Sequence, residues 1–385
     1  RYVDSSEAPE QYDIYATMFG GIPNSEIDKL QKYWEVFPLL KKRLFTPIPG
    51  KAYSQRTDED VLGAFMLSSD AHEFNDQFYD AIDGLADKMD NVLVENVMTV
   101  KEMQAHDELA AEIFHRLENV PLVDCYRVYQ LLSNQWQMIV NDIETIQTEG
   151  LDAVRTVEPA MKLVKDGDDE KEVPDGMKGR ILPFELVQED NDCLEKYVDA
   201  VKYKENRQES ISSEIDELIE SLTEDEAQEY MEGDDTPKPD KAKIKKDAKA
   251  KGDDIEPETK EKLKKLAALW DEQTKLNKAL KEARQTLTDK TIEYIQRLSD
   301  KSAKMWISEK WVTPVMEGIA DTPDNICAEL EKAVDAMSQK YATSYHDLND
   351  QLVKAQDELS GLISQLEGDE SSIAGLTALM NSFKD

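Results

Sequence analysis

The feature that most constrains the fold of this chain is a long, regular apolar stripe near its C-terminal end. Between residues 327 and 366, apolar residues recur at steps of three and four: Leu330, Val334, Met337, Tyr341, Tyr345, Leu348, Leu352, Ala355, Leu359, Leu362 and Leu366. The extra four-residue step from Tyr341 to Tyr345 is typical of a stutter in a heptad pattern. The spacing predicts one helix whose seam lies against another helix. Such a seam has to be covered, by other helices of the chain or by a partner protein.

A second long helix is predicted between residues 257 and 306, with Pro257 at the first helical position, where proline is favoured. Its leucines share one side. Because only a short bend separates it from the C-terminal stripe, we expect the two helices to form an antiparallel hairpin. Trp306 and Trp311, close to this bend, are candidate interface anchors, with burial in the core as the alternative.

The rest of the chain predicts a helical domain between a connector and a charged linker. Residues 1–57 are predicted as the connector and residues 58–231 as the helical domain. In that domain, residues 58–150 are predicted as three or four amphipathic helices that share a core, and residues 193–222 as a further helix. Within that domain, residues 151–190 favour a small β-hairpin or an extended arm. Residues 232–256, rich in lysine, predict a mobile linker, with a basic tether for nucleic-acid phosphates as the alternative. The expected fold class is mostly α, with the small β-hairpin or arm followed by a coiled-coil-like antiparallel hairpin over 257–385.

Composition excludes several classes of protein. With 82 acidic and 46 basic residues, the formal net charge is -36, and this field would repel a polyanion. No apolar run approaches about 18 residues, so we expect no membrane partner. Three scattered cysteines, Cys125, Cys193 and Cys327, predict reduced thiols in a cytoplasmic protein rather than a disulfide framework or a zinc site. The acidic N-terminus does not resemble a signal peptide, and its start at Arg1 suggests an excised fragment.

No segment carries a recognisable catalytic or cofactor motif. Glu112, His115 and Glu118 lie at helical spacing and could present metal ligands, but a helix face lined by ion pairs explains them better. Cys125 and His115 lack the local signatures of a cysteine nucleophile and its base. The sequence contains neither GxxxxGK[ST] nor GxGxxG. We therefore expect no catalytic, cofactor-binding or metal-binding residue in this chain.

Several short segments, taken in order, resemble one known family. They are RYVDS (1–5), YATMFGGIP (15–23), YWEVFP (33–38), AEIFHRL (111–117), YQLL (129–132), QTEG (147–150), ILPFELVQ (181–188), KWVTPV (310–315) and KYAT (340–343). Each piece alone is weakly specific, but their order is similar to that in the M subunit of type I DNA restriction–modification systems. The similarity is to the part that directly follows the methyltransferase domain, and it extends over nearly the whole chain.

The resemblance implies a parent enzyme that transfers a methyl group from S-adenosylmethionine to adenine N6 in DNA. That chemistry uses an [N/D]PP[Y/F] motif and a glycine-containing cofactor loop. This chain has no Pro-Pro pair, so no catalytic or cofactor residue is carried over. S-adenosylmethionine would belong to the parent enzyme, and no cofactor is expected in this fragment.

The resemblance also implies a specificity subunit and a restriction subunit as partners, with DNA contacted mainly through other domains or subunits. In this family the C-terminal helices pack against long helices of the specificity subunit. The residues expected to form that contact are Leu330, Val334, Met337, Tyr341, Tyr345, Leu348, Leu352, Leu359, Leu362, Leu366, Trp306 and Trp311. The expected function is therefore a C-terminal assembly region that positions the methyltransferase domain. The alternative is an acidic DNA mimic or coiled-coil interaction protein with no enzymatic parent.

Overall fold

The computed structural model describes residues 21–166, 169–189, 191–232, 238–250, 256–364 and 375–376. Within these ranges, seven strands form three small antiparallel sheets, ordered β1-β3-β2, β4-β5 and β6-β7. The strands are β1 (Ile22–Pro23), β2 (Phe45–Pro47), β3 (Tyr53–Arg56), β4 (Val157–Asp166), β5 (Asp169–Gly179), β6 (Met231–Glu232) and β7 (Lys238–Pro239). The described chain is otherwise mostly helical, which confirms the predicted fold class.

Three of the described helices are long: Cys125–Glu149 has 25 residues, Glu195–Glu220 has 26 and Pro257–Gln296 has 40. The α-helices are α1 (Asn24–Ile27), α2 (Gln31–Val36), α3 (Pro38–Leu44), α4 (Val61–Met66), α5 (Ser69–Ile82), α6 (Leu85–Met89), α7 (Glu102–Leu117), α8 (Cys125–Glu149), α9 (Asp152–Arg155), α10 (Phe184–Gln188), α11 (Glu195–Glu220), α12 (Glu224–Tyr230), α13 (Lys241–Lys249), α14 (Pro257–Gln296), α15 (Asp300–Trp311), α16 (Thr313–Ala320), α17 (Thr322–Lys340) and α18 (Tyr345–Ser364). A 3-10 turn at Asp28–Leu30 and a π-helix at Asp90–Glu95 complete the helical elements of the described ranges.

The chain divides into two compact units. The first unit comprises residues 1–89, 103–137 and 313–385, and the second comprises residues 90–102 and 138–312. These limits differ from the predicted domain boundaries because segments distant in sequence fold together in each unit.

The N-terminal segment of the first unit contributes large side chains to the core. Phe37 and Leu44 are fully buried, and the rings of Phe37 and Phe65 meet edge to face with centroids 5.3 Å apart. The described part of the segment predicted as a connector (1–57) is thus an integral part of a folded core. Pro38 begins α3, where its missing N–H removes no helical hydrogen bond.

The second unit contains the β-hairpin predicted within residues 151–190. Strands β4 and β5 pair from Val157 opposite Gly179 to Asp166 opposite Asp169, which confirms the hairpin. Residues 167 and 168 lie outside the described residues.

The apolar run 181–187 follows this hairpin and is helical in part. Phe184–Gln188 forms α10 directly after Pro183, and Leu182 and Val187 are fully buried. A short apolar run fits a strand and a buried helix equally well, which is why the sequence pattern did not distinguish an extended arm from a helix here.

Helices α11 and α14 form the long helical pair of the second unit. Side-chain contacts link them, among them Glu205 with Arg284 at 2.7 Å, Arg207 with Glu272 at 2.9 Å and Gln208 with Asn277 at 3.0 Å. The contacts of Arg207 and Gln208 involve lower residue numbers in α14 than the contact of Glu205 does, so the two helices run antiparallel. A long antiparallel pair is therefore present, but its second helix is α11 and not the predicted segment 327–366. An apolar stripe shows that a helix buries one face and does not specify the partner.

The lysine-rich segment predicted as a mobile linker (232–256) contains a packed helix. Helix α13 lies against α14, and its Ile244 and Ala248 are buried in the hydrophobic cluster between them. Two of its lysines cover aromatic rings of this cluster: the Lys241 and Lys243 ammonium groups each lie 5.2 Å from a ring centre, that of Trp270 and that of Tyr230 respectively. Residues 233–237 and 251–255 lie outside the described residues.

Candidate functional site

The predicted C-terminal seam is divided by a helix break. Helix α17 ends at Lys340 and α18 begins at Tyr345. The Ser344 hydroxyl accepts the Asp347 N–H at 3.1 Å, and the Asp347 carboxylate accepts the Ser344 N–H at 3.0 Å. This reciprocal pair is a capping box, which starts a new helix. The step from Tyr341 to Tyr345 is thus a break between two helices, and not the stutter within one helix that the spacing predicted.

The first half of the predicted seam belongs to the core of the first unit. Leu330 and Val334 are fully buried, and Met337 and Tyr341 are almost so. Helix α17 packs against α4 and α16 of the same unit. These four residues are covered by the chain itself, so they leave no surface for a partner.

The two tryptophans predicted as interface anchors are core residues of the second unit. The indole N–H of Trp311 donates to a carboxylate oxygen of Asp142 at 2.9 Å, and Lys310 donates to the same oxygen at 2.5 Å. The indole of Trp306 is 6% exposed and donates to the hydroxyl of Tyr294 at 3.3 Å. Buried indoles need a hydrogen-bond acceptor, and both have one here. The structure therefore excludes both as exposed anchors.

The second half of the predicted seam is exposed. Four leucines of α18 keep between two fifths and two thirds of their surface in solvent: Leu348 53%, Leu352 56%, Leu359 41% and Leu362 64%. Exposed leucines are ordinary when they are scattered, but a contiguous row marks an interaction surface. Tyr345 is the first residue of α18, and Leu366 lies outside the described residues. We call Leu348, Leu352, Ala355, Leu359 and Leu362 the α18 stripe.

The α18 stripe has the geometry of a coiled-coil seam. Its members are separated by alternating steps of four and three residues, which place them at the a and d positions of heptads. From Leu348 to Leu362 the stripe is about 21 Å long at 1.5 Å per residue. Ala355 lies at its centre and is also exposed. A small residue there lets a partner helix approach closely.

The positions that flank the stripe are mostly uncharged. Asn349 and Gln356 border it on one side, and Gln351 and Glu358 on the other. In coiled coils these flanking positions select the partner through salt bridges. Selection here would therefore depend on the fit of apolar side chains more than on complementary charge.

The residues considered for chemistry are engaged in ordinary surface contacts. Glu112 accepts from the Arg116 guanidinium at 2.6 Å, and the His115 ring lies 3.8 Å from Glu118. Among the described residues, no group of three or more His, Cys, Asp or Glu side chains could hold a metal ion. Burial raises the pKa of the Cys125 thiol, which opposes formation of the reactive thiolate. The contacts of Glu112 and His115 agree with the interpretation of residues 112–118 as an ion-paired helix face.

The most perturbed carboxylate of the described chain supports the end of the helical pair of the second unit. A hydrogen bond with Thr259 lowers the pKa of Glu226 to about 2, and the Thr223 backbone and Lys262 act in the same direction. Glu226 also completes a capping box with Thr223 at the start of α12. Its role is thus to join α12 to α14, since all of its partners are structural.

Comparison of the chain with models of protein families, with curated proteins and with solved structures finds no significant match to any of them. Within the described ranges, no helix combines the length and the apolar character needed to cross a bilayer.

Proposed function

We propose that this chain is the C-terminal assembly region of a type I restriction–modification M subunit. In this proposal the α18 stripe docks on a long helix of the specificity subunit. The docking positions a methyltransferase domain, outside this chain, on its DNA. The observation that carries the proposal is the exposed heptad row of α18, in a chain whose other long helices bury their apolar faces.

The segments that carry the family resemblance support the proposal at the level of the fold. Trp34, Phe37, Ile113, Leu182 and Trp311 lie in these segments and are all buried. Residues of this kind specify packing and carry no chemistry. The resemblance therefore bears on architecture, and the docking role depends on the α18 stripe itself.

The charge of the chain agrees with an assembly role. A net charge of -36 makes the chain as a whole a poor surface for DNA phosphates. Adenine-N6 methylation with S-adenosylmethionine would belong to the parent enzyme, and sequence reading to the specificity subunit. The restriction subunit would be a further partner, and such a complex would work in the cytoplasm.

The stripe can supply a useful part of the binding free energy. Completing the burial of four leucines that are about half exposed would contribute on the order of 3–6 kcal/mol before association costs. Those costs are of similar size. The α18 stripe would therefore act together with other contacts, and its removal should be enough to weaken the complex decisively.

Co-purification with the specificity subunit of the same system tests the proposal. The variant Leu348→Glu/Leu352→Glu/Leu359→Glu places three carboxylates on the stripe and adds three negative charges. The control Val353→Glu/Lys354→Glu also adds three (one plus two), at exposed positions of α18 that neither belong to the stripe nor flank it. We expect the stripe variant to lose the specificity subunit and the control to retain it, with unchanged helical circular dichroism in both. Retention by both variants would contradict the proposal.

The same preparation distinguishes the alternative, an acidic DNA mimic. A mimic would bind a DNA-binding protein through charge, so its complex would dissociate as salt rises. A complex formed by the α18 stripe is apolar and should persist at 0.5 M salt, roughly the range in which surface electrostatics are strongly screened. Dissociation by salt, together with indifference to the stripe substitutions, would favour the mimic.

A further inference from the structure

A locally basic cleft lies in the second unit, where the start of α11 meets the end of α14 and the start of α15. Its volume is about 450 Å³, which falls within the usual range of small-molecule sites, about 300–1,000 Å³. The side chains that matter here are Lys196, Tyr197, Lys290, Tyr294, Arg297 and Cys193. These residues come from two distant stretches of the chain, 193–197 and 290–302, so no local sequence pattern indicates that they form one site.

The cleft is cationic in a strongly acidic chain. Lys196, Lys290 and Arg297 contribute three positive charges to its lining, and Glu293 contributes one negative charge, which leaves a local balance of +2 (three minus one). Glu293 pairs with Lys290 at 2.7 Å and with Arg297 at 2.8 Å. These contacts lower the pKa of Glu293, so this carboxylate stays ionised. It holds the two cations close together without neutralising both.

Hydroxyl groups and aromatic rings complete the lining. Ser299 and Ser302 lie at one end of the cleft, with their hydroxyl oxygens 2.9 Å apart. The rings of Tyr197 and Tyr294 also line it, and the Lys196 ammonium lies 4.8 Å from the centre of the Tyr197 ring. Guanidinium, ammonium and hydroxyl groups are donors that recognise phosphate oxygens. Tyrosine rings offer planar surfaces on which a base can stack.

We propose that this cleft binds a nucleotide unit, with its phosphate held by Lys196, Lys290 and Arg297 and its base against the tyrosine rings. The unit could be a free nucleotide or part of a nucleic-acid strand, because both present the same phosphate and base. The site is separate from the α18 stripe and does not depend on the docking role. The experiments on the cleft alter residues outside the α18 stripe, so the nucleotide proposal and the docking proposal are tested independently.

Cys193 provides a direct reporter of occupancy because it is exposed and lines the cleft. Alkylation of Cys193 by a maleimide, measured by peptide mass spectrometry, should slow when AMP or a short single-stranded oligonucleotide is added to the full chain. Alkylation of Cys125, outside the cleft, is the internal control and should not change. Inorganic phosphate should protect much less than AMP, since it lacks the base.

Charge reversal in the cleft tests the assignment of the phosphate contacts. We expect Lys196→Glu/Arg297→Glu to weaken nucleotide binding by about tenfold or more, because two charge-assisted contacts are lost. The milder Lys196→Gln/Arg297→Gln should weaken it in the same direction and guards against misfolding. The control Lys264→Glu/Lys275→Glu changes the net charge equally at exposed positions of α14 outside the cleft, and it should bind within about twofold of the unmodified chain.

Three results would overturn the proposal: no protection of Cys193 by any nucleotide, equal protection by phosphate and AMP, or equal loss of binding in the cleft and control variants. Protection by AMP alone would identify a free nucleotide as the ligand. Protection by the oligonucleotide at lower concentration than AMP would identify a strand. Either of these two results supports the cleft as a nucleotide site.

Discussion

Leu330 and Leu352 lie in the same predicted seam, yet the structure gives them opposite environments. Leu330 is fully buried in α17, whereas Leu352 is 56% exposed in α18. Replacing a fully buried leucine by alanine removes its transfer free energy and leaves a cavity, at a cost of about 2–5 kcal/mol. The same change at Leu352 loses less than half of the burial and leaves no enclosed cavity. It should cost about 1 kcal/mol or less.

The difference between the two substitutions is therefore expected to exceed about 1 kcal/mol in the free energy of unfolding. Urea unfolding of Leu330→Ala and Leu352→Ala, followed by circular dichroism at one protein concentration, measures it. Lys354→Ala, on the polar side of α18, supplies the baseline for an exposed alanine substitution. Equal destabilisation by the two leucine substitutions would refute the division of the seam into a buried and an exposed half.

Two further predictions concern the second unit. Asp142 is 8% exposed and accepts from both Lys310 and Trp311. Asp142→Ala should destabilise the chain by about 2–4 kcal/mol, because the Lys310 ammonium loses its counter-charge and keeps the Ile181 carbonyl as an acceptor. Thermal unfolding measures this, and a loss below about 1 kcal/mol would contradict it. Because the folded pKa of Glu226 is about 2, below its ordinary value of 4.5, its contribution to stability should be complete above pH 4.5 and lost as the pH falls towards 2. Urea unfolding at pH 7 and pH 3 should show this loss in the unmodified chain and a smaller one in Glu226→Gln, and an identical loss in both would assign it to other groups.

The sequence predicted the helices well where their periodicity is local. The stripe of α8 includes Leu132, Ile139, Ile143 and Ile146, and all four are fully buried. A 3.6-residue period is a property of one helix, so it can be recognised without knowledge of the partner. A β-hairpin or an extended arm was predicted for residues 151–190 from a different local signal, the turn-forming residues between the two apolar stretches.

The partners of the helices could not be predicted in this way. Two helices with equally regular apolar faces, α14 and α17, turned out to pack against different parts of the chain. One signal of the break was present: Ser344 and Asp347 have the spacing of a capping box, which marks a helix start inside the supposed continuous helix. The basic cleft had no local signal, because its charges come from segments that only the fold brings together.

The measurement that tests the docking account most directly is site-specific photo-crosslinking from the α18 stripe. A photoreactive phenylalanine analogue at Leu352 should crosslink to the specificity subunit in the assembled complex, whereas the same analogue at Lys354, on the polar side of α18, should crosslink much less. Crosslinks from Leu352 that are confined to this chain would show that the stripe is covered from within and would contradict the account.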